Sequence, residues 1–231
     1  MNPIIQAVEK NLDFTQNKTL KQMVYDAFRK TIILGDIPAG TRINEKEFSD
    51  VLNISRTPIR YALQRLVSEN LVEHRPRIGI IVKGISIRDA YEIYDIRKSL
   101  DALAAERAMK LMTPQDFAEL TALLETGEAL NAANDVDAVL KNFSDFNAFL
   151  YEKSQMPRLK AIILELQTYL VYFRDVAVRS TNRREEALAE HWLILRAMEN
   201  QQAEQLQQLM HEHLDRSLTF ILQEMERRKI G

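Results

Sequence analysis

Ser55-Arg56-Thr57-Pro58-Ile59-Arg60-Tyr61-Ala62-Leu63-Gln64-Arg65-Leu66 is the stretch on which the reading of this chain turns. Ile59, Ala62, Leu63 and Leu66, with Val67 next in line, recur at the three- and four-residue spacing of one buried helix face. The opposite face then presents Arg56, Thr57, Arg60 and Gln64. Ser55 can cap this helix, and Pro58 falls in the first turn, where its missing N–H has no helical partner to lose. Arg56 and Arg60 lie one turn apart near the N-terminus. In a helix-turn-helix that end enters the major groove, where an arginine can pair with guanine O6 and N7 through two hydrogen bonds.

Moving outward, the flanking segments complete such a unit. Leu20, Met23, Val24, Ala27, Phe28 and Ile32 form a helical stripe that stops at Gly35, with Pro38 and Gly40 discouraging continuation. Asn44 can cap a second helix carrying Glu45 and Glu47 in its positive first turn, with Phe48, Val51 and Leu52 facing inward. After Asn70 the period changes: residues 71–75 and 80–83 read as two short strands, joined by a turn from Pro76 to Gly79. Three helices followed by a hairpin is the order of a winged helix-turn-helix. The same packing also occurs in protein-binding modules, and arginines on a helix face are often only solvated surface.

Residues 53–83 hold six basic side chains, Arg56, Arg60, Arg65, Arg75, Arg77 and Lys83, against Glu69 and Glu73. Across residues 1–84 there are 13 Lys and Arg against 9 Asp and Glu, and across 85–231 there are 18 against 24. A basic front on an acidic rear suits a protein that offers only its front to a polyanion. Cysteine is absent, which excludes disulfides, thiolate nucleophiles and cysteine-bound zinc. The apolar runs are shorter than the roughly 18–20 residues a bilayer demands, and residues 1–17 lack the marks of a signal peptide, so a cytoplasmic protein is expected.

From Ser86 onward everything reads as helix, with segments expected near 87–111, 114–131, 136–154, 158–179, 184–199 and 202–228. Ser86 to Asp89 resembles a capping box, Thr113-Pro114 is a cap followed by proline at the first helical position, and Pro157 and the polar stretch Ser180 to Arg184 mark breaks. The expectation is a mainly α chain: a winged helix-turn-helix over 1–84 and a bundle of six or seven helices over 85–231.

With those residues in place, a family resemblance becomes specific. Ile37 to Ser49, then Ser55 to Leu66, then Gly79 in the wing are similar to the GntR family of bacterial regulators. The departures are mild: Ala39 for Pro, Phe48-Ser49 for Leu-Ala, Asn53 for Gly, Tyr61 for Glu, Asn70 for Gly. The resemblance implies that Arg56, Thr57 and Arg60 read bases or adjoining phosphates, that Lys46 contacts the DNA backbone, and that Gly79 approaches the groove beside Arg77. Arg65 would support phosphates or packing. A homodimer on a palindromic double-stranded operator follows from the family and from operator symmetry.

In the rear half, four polar side chains fall on apolar helix faces: Arg97, Arg174, His191 and His213. An inward charge must be paired or must line a polar cavity. Taken together they suggest a pocket in the bundle, binding a small organic acid as effector. Here the chain resembles the FadR-type (FCD) C-terminal domain of the same family, which often binds carboxylates through a metal. That resemblance rests on Glu190 to Met198, Met210 to Leu214, and Phe143 to Asn147 with Ser154 to Leu159 after it. It puts the family's aspartate ligand on Phe143 and its first histidine ligand on Asn147, so that only His191 and His213 survive as metal ligands. Two imidazoles and an amide would hold zinc or nickel weakly, so a weakly bound divalent ion is the most this set supports. Direct binding of a carboxylate is expected instead, with Arg97 as the clamp and Asn147, Arg174, His191 and His213 around it. A metal-dependent hydrolase is the rival reading. It lacks a carboxylate set, a glycine-rich phosphate loop and any nucleophile with a base at a recognisable spacing. A constitutive DNA-binding dimer without a ligand is the third.

Overall fold

The computed structural model describes residues 2–15, 17–179 and 181–231, and its contacts divide the chain into two compact units. One comprises Met1–Ile87 together with Met225–Gly231, the other Arg88–Glu224.

In the first unit, α1 (Pro3–Asn11) precedes α2 (Leu20–Ile33), β1 (Arg42–Ile43), α3 (Glu45–Leu52), α4 (Arg56–Ser68), β2 (Val72–Arg75) and β3 (Gly79–Val82). The cap residues act as their chemistry dictates. Thr19 accepts from the Gln22 N–H, and Asn44 accepts from Lys46 and Glu47. Ser55 occupies the N-cap of α4, yet its hydroxyl makes no capping bond. The core gathers Val24, Phe28, Ile32, Phe48, Ile59, Leu63 and Leu66, with the Phe28 and Phe48 rings 4.9 Å apart. Three residues expected inside are exposed instead: Leu20, Val51 and Val67. All three stand at helix ends, Leu20 first in α2 and Val51 and Val67 next to last in α3 and α4, where fewer neighbours pack against a side chain.

The sequence reading also missed two elements. Helix α1 starts on the Asn2 cap with Pro3 at its first position, and it buries Ile5 and Val8 completely. Its Asn11 amide donates to the Thr31 hydroxyl at 3.0 Å, tying it to α2. Strand β1, two residues long, pairs antiparallel with β3 through Arg42–Ile81 and Ile43–Ile80, giving a sheet of order β1-β3-β2. The wing therefore has three strands rather than two.

The second unit is helical throughout: α5 (Ile87–Leu111), α6 (Pro114–Ala132), α7 (Val136–Lys153), α8 (Pro157–Ala177), α9 (Thr181–Glu199) and α10 (Ala203–Arg227), with Ile87 and the last residues of α10 counted in the first unit. Thr113 and Asp116 close a reciprocal capping box at the start of α6. One apolar cluster runs through Ala105, Leu120, Leu124, Phe146, Leu150, Ile194, Met198 and Leu206. Helix α9 begins three residues earlier than its apolar period indicates, because Arg183 and Arg184 are both buried. Arg184 reaches Asn131, Asn134 and the Arg179 carbonyl, all at 2.7–2.8 Å, which fastens the α6–α7 loop to the start of α9. Ser180, part of the expected break, lies outside the described residues.

Candidate DNA-contact face and ligand cavity

Because Pro58, Ile59, Ala62, Leu63 and Leu66 bury one side of α4, the chain has no choice but to present Arg56, Thr57, Arg60 and Gln64 on the other, and all four are exposed. Arg60 reaches back across the turn: its Nε and Nη2 both donate to Glu45 Oε2 at 3.2 Å, while its side chain stays 59% exposed. Lys46, also exposed, stands at the first turn of α3. Arg65 behaves differently. Its guanidinium lies 3.7 Å from the centre of the Tyr25 ring and donates to Gln22 Oε1 at 2.9 Å, so it serves packing.

At the wing tip, Pro76 and Arg77 are the central residues of a turn closed by the Ile78 N–H on the Arg75 carbonyl. Arg77 is exposed and holds φ +66, and Gly79 holds φ +106, a conformation that all but requires glycine. Arg42 on β1 lies beside it: a side chain at 79 would meet the Arg42 Nε at 3.7 Å. Nothing in the sequence singles out this arginine, because the two-residue strand that carries it has no period to detect. Arg75 and Lys83 are less free to act, being bonded to Glu73 and Asn70.

In the second unit, Asn147 from α7, Arg174 from α8, His191 from α9 and His213 from α10 all line one cavity of about 40 Å³, with Phe143, Arg183, Ser217 and Phe220. That volume holds a water molecule or a carboxylate group and little more. Glu190 is buried behind it and accepts from Arg183 through both oxygens (3.0 and 3.3 Å) and from Arg216 at 3.2 Å. Its Oε2 also bonds His213 Nδ1 at 2.6 Å. Burial pushes the Glu190 carboxyl up, but His213 and Arg183 outweigh it and bring it down to about 2. His191 stacks on Phe146 (centroids 4.1 Å) and meets Phe143 edge-on (5.1 Å). Burial, then repulsion from His213, Arg183 and Arg174, holds its pKa well below the usual histidine value, so it is neutral. Its Nδ1 is buried without a hydrogen-bond partner.

Arg97 is not part of this constellation. Its Nε donates to Asp101 Oδ2 at 3.1 Å, the guanidinium lies over the Tyr94 ring, and Asp101 also accepts from the buried Tyr151 hydroxyl. The inward arginine is thus paired within the protein, and the expected carboxylate clamp is occupied by the chain's own Asp101. Arg183, by contrast, was read as part of a break. The signal that could have found it is its spacing of seven residues from Glu190, which puts the two on one helix face.

A divalent metal does not fit the cavity. Among the described residues there is no group of three or more His, Asp, Glu or Cys side chains able to hold one. The ring of Phe143 stands beside His191, and two guanidinium groups line the same space.

The chain is thus a winged helix-turn-helix followed by an all-helical unit that holds one small polar-lined cavity. Residues 20–82 match the model of bacterial regulatory proteins of the gntR family, and residues 92–216 match the FCD domain. The chain belongs to the GntR family, in the branch that carries an FCD domain. It is a DNA-binding transcriptional regulator and not an enzyme. It is 27% identical over 212 residues to the HTH-type transcriptional regulator McbR of Escherichia coli K12, covering 90% of this chain and 96% of that protein. It is 25% identical to the transcriptional repressor RspR of the same organism, covering 90% of each. The solved structure of E. coli McbR superposes with a TM-score of 0.63 at 25% identity, covering 89% of this chain and 98% of that one. The Listeria monocytogenes regulator Lar shares the fold, with a TM-score of 0.68 at 16% identity over 90% and 99% of the two chains. Among the described residues no helix is long and apolar enough to cross a membrane.

Proposed function

We propose that this regulator binds a palindromic operator as a homodimer and releases or tightens its grip when a small organic acid enters the helical unit. The observation that carries the reading is the convergence of Asn147, Arg174, His191 and His213, from four helices, on one partly enclosed cavity. A bundle whose only task was to pair with another would fill that space with apolar side chains, since buried polar groups are costly unless they are used.

On the DNA side, Arg56, Thr57 and Arg60 meet base edges or adjoining phosphates in the major groove, Lys46 meets the backbone, and Arg77 with Gly79 brings the wing against the duplex. Arg65 keeps its place against Tyr25. On the sensing side, the ligand's carboxylate pairs with Arg174 among the neutral ring of His191, the His213 imidazole and the Asn147 amide. A ligand that binds one arrangement of the dimer better than another shifts the population between them, and operator affinity follows. The cavity admits only the acid's head group as it stands, so Arg174, at 23% the most open of its charged lining residues, must swing to admit the remainder.

The reading is tested by fluorescence anisotropy on a labelled duplex from the region upstream of the regulator's own gene, with a panel of short organic acids. At least one acid should change the operator affinity severalfold. Identical isotherms across the panel would reduce the protein to a constitutive binder.

A further inference from the structure

Four positions that the family resemblance assigns to a metal, 143, 147, 191 and 213, all line the same cavity in this chain. Two still carry imidazoles, with ring centres 5.0 Å apart. Even the supporting carboxylate is in place, for the Glu190–His213 bond is the contact that fixes the ring of a metal-binding histidine. The other two positions have changed chemistry altogether. Phe143 sets an aromatic ring at right angles to His191 where a carboxylate would be needed. Asn147 spends one amide N–H on the Phe143 carbonyl, one turn back in its own helix, at 3.0 Å. Glu190 cannot substitute as a ligand, since Arg183, Arg216 and His213 already occupy its oxygens. Arg174 and Arg183 line the same space, and guanidinium groups beside it oppose a cation; Arg183 is committed to Glu190 at 3.0 Å, while Arg174, paired only with its more exposed neighbour Asp175 at 2.9 Å, is the one an anion could draw away.

We infer that this chain carries a metal-free form of the cavity, in which the carboxylate of a small acid takes the place of the ion and is held directly by Arg174 and the two histidines. The inference rests on the sensor reading above and deepens it. The Nδ1 of His191, a cavity-lining residue only 1% exposed, is buried without a hydrogen-bond partner. A buried nitrogen of that kind is costly unless something in the cavity meets it.

The test is a zinc titration, by calorimetry, of the full chain dialysed against chelator, beside Phe143→Asp/Asn147→His, which rebuilds one carboxylate and three imidazoles. Removing a single supporting contact costs a metal site about 10–100-fold in affinity. Two missing ligands should therefore leave the natural chain at least about 100-fold weaker than the variant. One zinc bound per natural chain within tenfold of the variant would overturn the inference. Should the double variant fail to fold, Asn147→His alone serves as the comparison, and tight one-to-one zinc binding by the natural chain still overturns it. In parallel, sodium acetate at constant ionic strength should raise the melting temperature of the natural chain and not that of Arg174→Gln. An equal rise in both, or none in either, contradicts the anion seat. The readouts are metal stoichiometry and melting, not operator affinity. A chain that held zinc tightly would thus remain a sensor, while one insensitive to every acid in the operator assay would lose that reading separately.

Discussion

Glu45, in the first turn of α3, receives two hydrogen bonds from the guanidinium of Arg60 on α4, both at 3.2 Å to one oxygen. On the proposed reading, in which Arg60 meets a base edge, the arginine rests on this carboxylate until a duplex offers better partners. Pairs this exposed contribute only about 0–1 kcal/mol, so the hold is weak. Glu45→Gln removes the negative charge from the face proposed to meet phosphate. It should tighten operator binding by up to about fivefold, the equivalent of 1 kcal/mol. Weaker binding by this variant in anisotropy would mean that Glu45 positions Arg60 for the base instead.

Arg77 puts stability and binding in opposition. A non-glycine residue at positive φ costs roughly 1–2 kcal/mol, and the wing turn imposes φ +66 on this one. Arg77→Gly should raise the unfolding free energy by about 0.5–1 kcal/mol after the entropy glycine adds to the unfolded chain. The same variant should bind every DNA sequence more weakly and with a shallower salt dependence, as expected for a lost phosphate contact. Chemical denaturation and a salt series of binding curves check the two signs independently.

Arg97 was expected to meet the ligand, yet its partner is Asp101, 1% exposed. Removing one member of a buried pair leaves the other charge uncompensated and costs about 3–5 kcal/mol. Arg97→Ala should therefore lower the denaturation midpoint severely, whatever happens to the ligand response. A stable Arg97→Ala protein with a blunted response would restore the clamp.

The start of α6 carries a pH dependence. Asp116 is held at about 2, first by its hydrogen bond from Lys153 and then by the backbone and hydroxyl of Thr113. A carboxyl whose pKa is depressed in the folded state stabilises it above the unfolded value near 3.8, and that contribution is lost as pH falls toward 2. Asp116→Asn should be less stable at pH 7 and should lose less between pH 4 and pH 2. Parallel acid-unfolding curves for the two proteins would discard the assignment.

How much of this was legible in the sequence depends on what holds each element. The six helices of the rear unit announce themselves, because long amphipathic stripes between Thr113-Pro114 and Pro157 leave few alternatives. Helices α2, α3 and α4 and the wing hairpin were equally plain. Helix α1 and β1 were not: one is nine residues long, the other two, and both exist because partners elsewhere in the unit receive them. On the recognition helix, a buried stripe dictates the opposite face, so Arg56, Thr57 and Arg60 could be placed by counting. The cavity required more than counting. Inward polar residues could be recognised one helix at a time, which singled out Arg97, Arg174, His191 and His213, while Asn147 came only with the family resemblance. Nothing in a single helix reveals whether an inward arginine is sealed in a buried pair, as Arg97 is with Asp101, or lines a cavity while pairing at its edge, as Arg174 does with Asp175.

The claim at the centre is that the outer face of α4 reads base edges. The most direct measurement compares the affinity of the natural chain and of Arg60→Ala for an operator and for a scrambled duplex at one salt concentration. A lost pair of hydrogen bonds to guanine is worth about 1–3 kcal/mol of discrimination. Arg60→Ala should thus lose about 5–150-fold in the ratio of operator to scrambled affinity, with its melting temperature unchanged. An undiminished ratio in a folded Arg60→Ala protein would contradict the account.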